Sequence, residues 1–486
     1  MTLHRDLLIG GKDVPAASGR TTEDVNPHTS EVYATVAAAG VEDVTRAVDA
    51  AQAAFPAWAA LGPAARRRIF LDAADLLQER TEQVVETMAS EVGAVRPWAM
   101  FNAGLAADIL REAAAAVTAP RGEVLSAQEE GALGLAVREP VGVVAAFSPW
   151  NAPVILGVRS VAAPLAAGNT VVMKPSEDAP VACGLFIADV LREAGLPDGV
   201  LNVVTNARED AAEVAEALVA DARVRAVNFT GSTGVGRVIG VHAARHLKPA
   251  VLELGGKNSV IVLDDADVDY AVDAAVFSVF MNSGQICMSA DRVLVHESLA
   301  EEFTAKFVAR TASLAAGDPT DPSTVVGPLI TADSARRVAA LVRDAADKGA
   351  TVLTGGTEPE GALHPATVLT DLPEEAELYH GEAFGPLAVV SAFATDEEAI
   401  ALANATEHGL TCGIITENGT HGLKVARRIS TGIVHVNDQS VADEPTAPFG
   451  GFKASGYGRF GGRWGIEAFS NTRWVTLATQ HAHYPF

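Results

Sequence analysis

Apolar positions change their period along this chain, and each change marks an element. In residues 40–60 and 62–92 they recur every third or fourth position, which predicts amphipathic helices. Residues 97–117 read as an alanine-rich helix. The pattern then alternates. VGVVAAFSP (141–149) and NTVVMKPS (169–176) are continuous apolar runs of strand length. VACGLFIADVLREAG (181–195) is a helix that stops at a glycine. VLNVVT (200–205) is a strand, 209–220 a helix, RAVNFTG (225–231) a strand and 232–246 a helix. Strands apolar on both faces, alternating with helices, predict βαβ units, a parallel sheet and right-handed crossovers. The alternation restarts with SVIVL (259–263), a helix over 267–283, RVLVH (292–296) and a helix over 298–315. The fold class expected is α/β, with two parallel-sheet domains.

Two stretches fit neither sheet. EVLSAQEEGALGLAVREP, within 122–140, reads as two extended runs around a glycine, a hairpin. RWVTLAT (473–479) is an isolated strand. Such strands have open edges, which often pair across a subunit interface, so a homodimer or homotetramer is expected.

Composition narrows the classes. The chain has 486 residues, 49% apolar and 20% charged, which suits a globular protein of more than one domain. A net charge of −25 repels phosphate, so neither nucleic acid nor an anionic membrane surface is an expected partner. No apolar run is long enough to span a bilayer, and MTLHRDLLIGGKDVP lacks a signal-type segment, so a cytoplasmic protein is expected. Three cysteines, odd in number and far apart, make no disulfide framework. No C-x-x-C or H-E-x-x-H occurs, and His242 and His246 have no ligand in matching spacing, so no metal is expected. DDADVD (264–269) lacks the glycine and distal glutamate of a calcium loop and caps the next helix instead.

Candidate chemistry centres on GQICMS (284–289). Cys287 there could be a packing residue, a metal ligand or a nucleophile. ELGGKNS (253–259) sets Glu253 among apolar residues before two glycines. Partial burial would raise its pKa, as suits a general base. FSPWNAPV (147–154) ends a strand on Asn151, whose amide could donate to an oxyanion. GSTGVG (231–236) follows a strand and opens a helix, a place for a pyrophosphate. GYGRFG (456–461) matches the letters of a dinucleotide fingerprint, but no strand precedes it and no acid follows at the right distance. KPSE (174–177) lies at a strand's carboxyl end, where open parallel sheets bind ligands.

FSPWNAPV, GNTVVMKPSE, FTGSTGVG, ELGGKN, GQICMS, EAFGP (382–386) and PFGGFKASGYGR (448–459) stand in this order, with 34 positions from Glu253 to Cys287. With them the chain resembles the NAD(P)-dependent aldehyde dehydrogenases over nearly its whole length. PWNAPVILGVRS and the ending HYPF look most like the aromatic-aldehyde branch, the salicylaldehyde, vanillin and benzaldehyde dehydrogenases.

The resemblance implies a Rossmann-like NAD-binding domain (1–121 and 141–253), a catalytic domain (254–450) and an oligomerisation element (122–140 and 465–486). It implies that Cys287 is the nucleophile, that Glu253 activates the deacylating water, and that Asn151 with the Cys287 N–H forms the oxyanion hole. The cofactor, NAD with NADP possible, would meet Ser148, Pro149, Trp150, Lys174, Ser176, Glu177, Gly231, Ser232, Val235, Leu254, Glu382 and Phe384. The substrate, a small aldehyde, would meet Ala152, Arg159, Ile286, Met288 and Phe449. The aldehyde would become a thiohemiacetal on Cys287, then a thioester, then the free acid.

Departures from the family pattern sharpen this. Alanine stands at 152, where many members have a bulky aromatic, and arginine at 159, where others have tryptophan. Space plus a cation fits a flat ring carrying a hydroxyl or an anion. The alternatives are an ion pair that keeps Arg159 from the substrate, and an aliphatic or semialdehyde substrate. Ser160 and Phe460 replace a Lys and a Glu that would form a proton exit. Glu177 favours NAD over NADP by repelling the 2′-phosphate. A cysteine hydrolase would need a histidine motif near the thiol, and none stands there.

Overall fold

The computed structural model describes residues 3–128, 131–481 and 483–486. Glu129 and Glu130, inside the expected hairpin, lie outside the described residues. Two large sheets carry the chain. One has eight strands: Gly456–Tyr457, Ala250–Glu253, Val224–Thr230, Val143–Ser148, Thr170–Pro175, Leu201–Val203, Leu7–Ile9 and Lys12–Val14, in that spatial order. Its centre is parallel, with Phe147 beside Lys174 and Thr230 beside Glu253 in register. The other has seven strands between Asn258–Val262 and Ile433–Val436, with Ala290–His296 and Leu387–Phe393 parallel at its middle.

The helices follow the apolar stripes. Helix Val41–Ala60 buries Val44, Ala47, Val48 and Ala51, a stripe at helical spacing. The expected helix over 62–92 is two, Pro63–Glu79 and Thr81–Val92, broken at Arg80, whose own N–H closes the first on Leu76 and Leu77. The stretch 181–195 starts with a π-turn, Val181–Leu185, before helix Phe186–Glu193. Asp267 caps helix Val268–Phe280, accepting from the N–H groups of Asp269 and Tyr270.

The hairpin Gly122–Leu125 and Leu133–Pro140 pairs with Ser470–Leu477 in a separate three-stranded sheet. Trp474, Leu477 and Val124 stand exposed on it. GYGRFG is no phosphate loop: its first two residues add an edge strand antiparallel to Ala250–Glu253. Gly456 is required there, since a Cβ would lie 2.0 Å from the Leu252 carbonyl and its φ is +104°. Among the described residues no helix is long and apolar enough to cross a membrane, and no cluster of three metal-ligating side chains occurs.

Candidate active site

Cys287 sits on a loop that the backbone forces off its helix. After Phe280 the chain passes through Asn282 (φ +50°), Ser283 (φ +56°) and Gly284 (φ +70°), three successive left-handed residues. Such backbone persists in non-glycine residues only where the surroundings hold it. Here they do. Ile330 N–H donates to Gln285 Oε1 at 2.9 Å, Asn258 Nδ2 donates to the Cys287 carbonyl at 2.7 Å and the Ser289 carbonyl at 3.0 Å, and Ser440 Oγ donates to the Met288 carbonyl at 2.7 Å. Ile286 and Met288 point into the core, and Cys287 between them is only half-buried.

Asn151 faces the same loop. Its carbonyl accepts from Trp98 Nε1 and from Asn282 Nδ2, both at 3.0 Å. Its buried side-chain amide makes no hydrogen bond among the described residues, so it is free to donate. Ala152 follows, buried, at the cap position of helix Pro153–Ala167.

Glu253 ends its strand 2% exposed, with neither carboxyl oxygen hydrogen-bonded. Burial pushes its pKa up to about 8, against the pull of the Arg159 cation. The Cys287 thiol is held well above its ordinary range, by burial first and then by the carboxyls of Glu253 and Glu382. The same groups appear in both balances, which places Cys287, Glu253, Glu382, Arg159 and Asp443 within one field. The two glycines after Glu253 have distinct reasons. A Cβ on Gly255 would lie 2.5 Å from Glu382 Oε2, and one on Gly256 would lie 2.7 Å from the Cys287 carbonyl.

Arg159 does not present a free guanidinium. It pairs with Asp443, both side chains over nine-tenths buried, and lies over the Phe449 ring at 4.4 Å. The ion-pair alternative thus accounts for part of Arg159. Of the two residues replacing the proton-exit pair, Ser160 Oγ donates to the Gly157 carbonyl at 2.8 Å, and Phe460 is buried against Phe449 through mutual backbone hydrogen bonds.

Sequence reasoning missed Asp443, Asn258 and Lys257. Lys257 Nζ is wholly buried and donates to Asp291 Oδ2 (2.7 Å) and to the carbonyls of Leu378 (2.7 Å) and Gly381 (2.8 Å). It ties the glycine turn to the segment carrying Glu382. Lys257→Met leaves Asp291 buried without its partner and is expected to cost about 3–5 kcal/mol, read as a lower urea midpoint. No local signal pointed to it, since Lys257 stands between two glycines and the polar Asn258 and Ser259.

The residues expected to hold a dinucleotide line the carboxyl ends of the first sheet. Lys174 and Glu177 form an ion pair, and Asn206 Nδ2 donates to Glu177 at 3.0 Å. Burial opposes the Glu177 charge, but the Lys174 ammonium overcomes it and holds the carboxyl below its ordinary value. Ser176 N–H bonds the Ser148 carbonyl at 2.9 Å, joining the two strand ends. Cys183 Sγ donates to the Pro149 carbonyl at 3.3 Å, which ties the strand end to the π-turn. Ser232 caps helix Thr233–Arg245 by accepting from Val235 N–H. The N–H groups of Thr233 and Gly234 stay uncommitted among the described residues, and a Cβ on Gly234 would meet nothing within 4 Å. Free donors facing open space at a helix start fit a pyrophosphate. A Cβ on Gly231 would lie 2.7 Å from the tip of the Phe229 ring, so a larger residue there would push that ring aside. Leu254 packs on Gly236 of that helix. Across the cleft Glu382 accepts from Gly256 N–H at 3.1 Å, and burial raises its pKa to about 7. Phe384, at φ +45°, meets Trp150 edge-on at 5.6 Å.

A doubly sheeted α/β chain, with dinucleotide-type strand ends facing a loop-borne thiol and a buried carboxyl, has the layout of a nucleotide-dependent dehydrogenase working through a covalent thiol adduct. Comparison with known proteins agrees. The aldehyde dehydrogenase family matches residues 14–475, and the chain belongs to that family. It is an NAD(P)-dependent oxidoreductase acting on aldehydes. It is 51% identical over 482 residues to the vanillin dehydrogenase of Pseudomonas sp. (strain HR199 / DSM 7063), covering 99% of each. It is 41% identical over 471 residues to the benzaldehyde dehydrogenase [NAD(+)] of Pseudomonas putida, covering 97% of this chain and 96% of that one. The crystal structure of a salicylaldehyde dehydrogenase from Pseudomonas putida G7 complexed with salicylaldehyde superposes with a TM-score of 0.97 at 41% identity, over 100% of both chains.

Proposed function

We propose that this protein oxidises an aromatic aldehyde to its carboxylic acid, preferring NAD to NADP, through a thioester on Cys287. The observation that carries the mechanism is Glu253, buried, unpartnered and shifted toward neutrality in the field of the thiol. The substrate class rests on the vanillin, salicylaldehyde and benzaldehyde relatives and on the small Ala152.

Cys287 gives up its thiol proton to solvent, and the Sγ thiolate attacks the aldehyde carbon. The Asn151 amide and the Cys287 N–H donate to the oxygen as it gains charge. NAD(P), when bound, supplies the acceptor for the hydride that the tetrahedral adduct on Cys287 releases, leaving a thioester. Glu253 then takes a proton from water, which attacks the thioester carbon. The acid departs and the Cys287 thiol is restored. Lys174, Ser176 and Glu177 would hold the adenosine ribose. Gly231, Ser232 and Val235 would meet the pyrophosphate, and Glu382 and Phe384 the nicotinamide ribose and ring. Ser148, Pro149, Trp150 and Leu254 would line the groove between them. The anionic Glu177 would repel a 2′-phosphate, which supports the preference for NAD.

We also infer a homo-oligomer, because the exposed Val124, Leu133, Val475 and Leu477 share one face of the three-stranded sheet and leave it an apolar face to cover. A cytoplasmic setting is supported by three free thiols.

NADH formation with salicylaldehyde, vanillin, benzaldehyde, hexanal and succinic semialdehyde, each with NAD and NADP, tests this reading. An aromatic aldehyde is expected to lead in kcat/KM by about tenfold or more. Hexanal or the semialdehyde leading would remove the aromatic assignment.

A further inference from the structure

The two oxyanion donors sit on separate segments of the chain. Asn151 lies between strand Val143–Ser148 and helix Pro153–Ala167, and the Cys287 N–H lies on the loop after Phe280. Two donors stabilise one developing charge only if their spacing is held before the reaction. One hydrogen bond ties the segments directly. Asn282 Nδ2, on the Cys287 loop, donates to the Asn151 carbonyl at 3.0 Å.

That carbonyl belongs to no helix ladder. The Ile155 N–H, one turn on, goes instead to Asn102 Oδ1 at 3.4 Å. Two side chains fill both lone pairs of the Asn151 carbonyl, Asn282 from one side and Trp98 Nε1 from the other, each at 3.0 Å. Asn151, Asn282 and Trp98 are all over nine-tenths buried, so water does not replace a donor that is lost.

Asn282 is joined as firmly to the thiol side. Its φ of +50° and ψ of 35° are left-handed, which asparagine tolerates better than most residues. Its carbonyl accepts from the Gln285 N–H at 3.0 Å. The Ile286 carbonyl then accepts from the Ser289 N–H at 2.8 Å, which fixes the peptide whose other end is the Cys287 N–H.

We propose that Asn282 is a positioning residue: through the Asn151 carbonyl it holds the Asn151 amide and the Cys287 N–H at the spacing that binds the developing oxyanion. The inference rests on the oxyanion reading above and adds to it a residue that acts through another.

The test measures the rate of the NADH burst with benzaldehyde and saturating NAD. The proteins are the wild type, Asn282→Gly, Asn151→Ala and the double variant. Glycine keeps the left-handed backbone at no steric cost and removes the side-chain bond. Asn151→Ala removes a donor and is expected to slow the burst by about 10²–10³-fold. Asn282→Gly leaves that donor misplaced and is expected to slow it by about 10- to 100-fold. The double variant is expected to match Asn151→Ala within about threefold, because Asn282 then has no amide left to position. Alkylation of Cys287 by iodoacetamide builds no oxyanion, so Asn282→Gly is expected to react within about threefold of the wild-type rate. Alkylation slowed as much as the burst would make Asn282 a prop of the loop and overturn the proposal. A wild-type burst rate in Asn282→Gly would overturn it too, as would losses that multiply in the double variant. If Asn151→Ala itself keeps the wild-type burst rate, the oxyanion reading falls, and this inference with it. Should Asn282→Gly not fold, Asn282→Asp takes its place, keeping the size and losing the donor. Failure of both to fold would also overturn the proposal.

Discussion

Cys287→Ala abolishes NADH formation with every aldehyde, by about 10⁴-fold or more in kcat, as expected when a covalent nucleophile is removed. No other thiol can substitute. Burial pushes both Cys183 and Cys412 up to about 12. Cys183 is tied to the Pro149 carbonyl, and Cys412 is buried inside strand Thr411–Ile415. NAD binding should survive the change, since every residue expected to hold the cofactor is left in place. Steady-state absorbance of NADH checks the first outcome, and quenching of protein fluorescence by NAD checks the second.

Glu253→Gln has the second largest effect, and its form is diagnostic. Loss of a general base typically costs about 10²–10⁴-fold. Only the deacylation step needs that base, so the variant is expected to give one burst of NADH per active site and then almost none. The pH dependence follows from the raised pKa. Glu253 is neutral below about 8 and can take a proton only once it has lost its own. Wild-type kcat, where deacylation limits, therefore rises with pH through about 8 and levels above it. The Cys287 thiol, also raised, adds a dependence of the same sign to kcat/KM. The rise in kcat disappears in Glu253→Gln, because an amide does not titrate there. Stopped-flow NADH traces across pH read all three.

The helices and parallel strands were legible because their apolar periods are unbroken over many residues. What escaped was short or non-local. Strands Leu3–Arg5, Leu7–Ile9 and Lys12–Val14 are too brief to show a period. The break at Arg80 carries neither glycine nor proline in QERTEQ (78–83) to announce it. The expected helix over 267–283 ends at Phe280, because Asn282 and Ser283 adopt left-handed backbone that only the tertiary hydrogen bonds of the Cys287 loop impose. At the site, Cys287, Glu253 and Asn151 could be picked out because each sits in a local motif. Their supports could not. Asp443 reaches Arg159 across 284 residues, and Asn258 reaches the Cys287 carbonyl across 29. GYGRFG shows the converse. Its three glycines answer to close approaches by Leu252, Val251 and the Ala447 carbonyl, which a letter pattern cannot tell from a phosphate cradle.

The central claim is that the acyl group rides on Cys287 and leaves by way of Glu253. Glu253→Gln, mixed with benzaldehyde and NAD and stopped with acid after the burst, should show a mass gain of one benzoyl group, located by peptide mapping to the segment holding Cys287. An unmodified protein after the burst, or a benzoyl group on Cys183 or Cys412, would contradict the account.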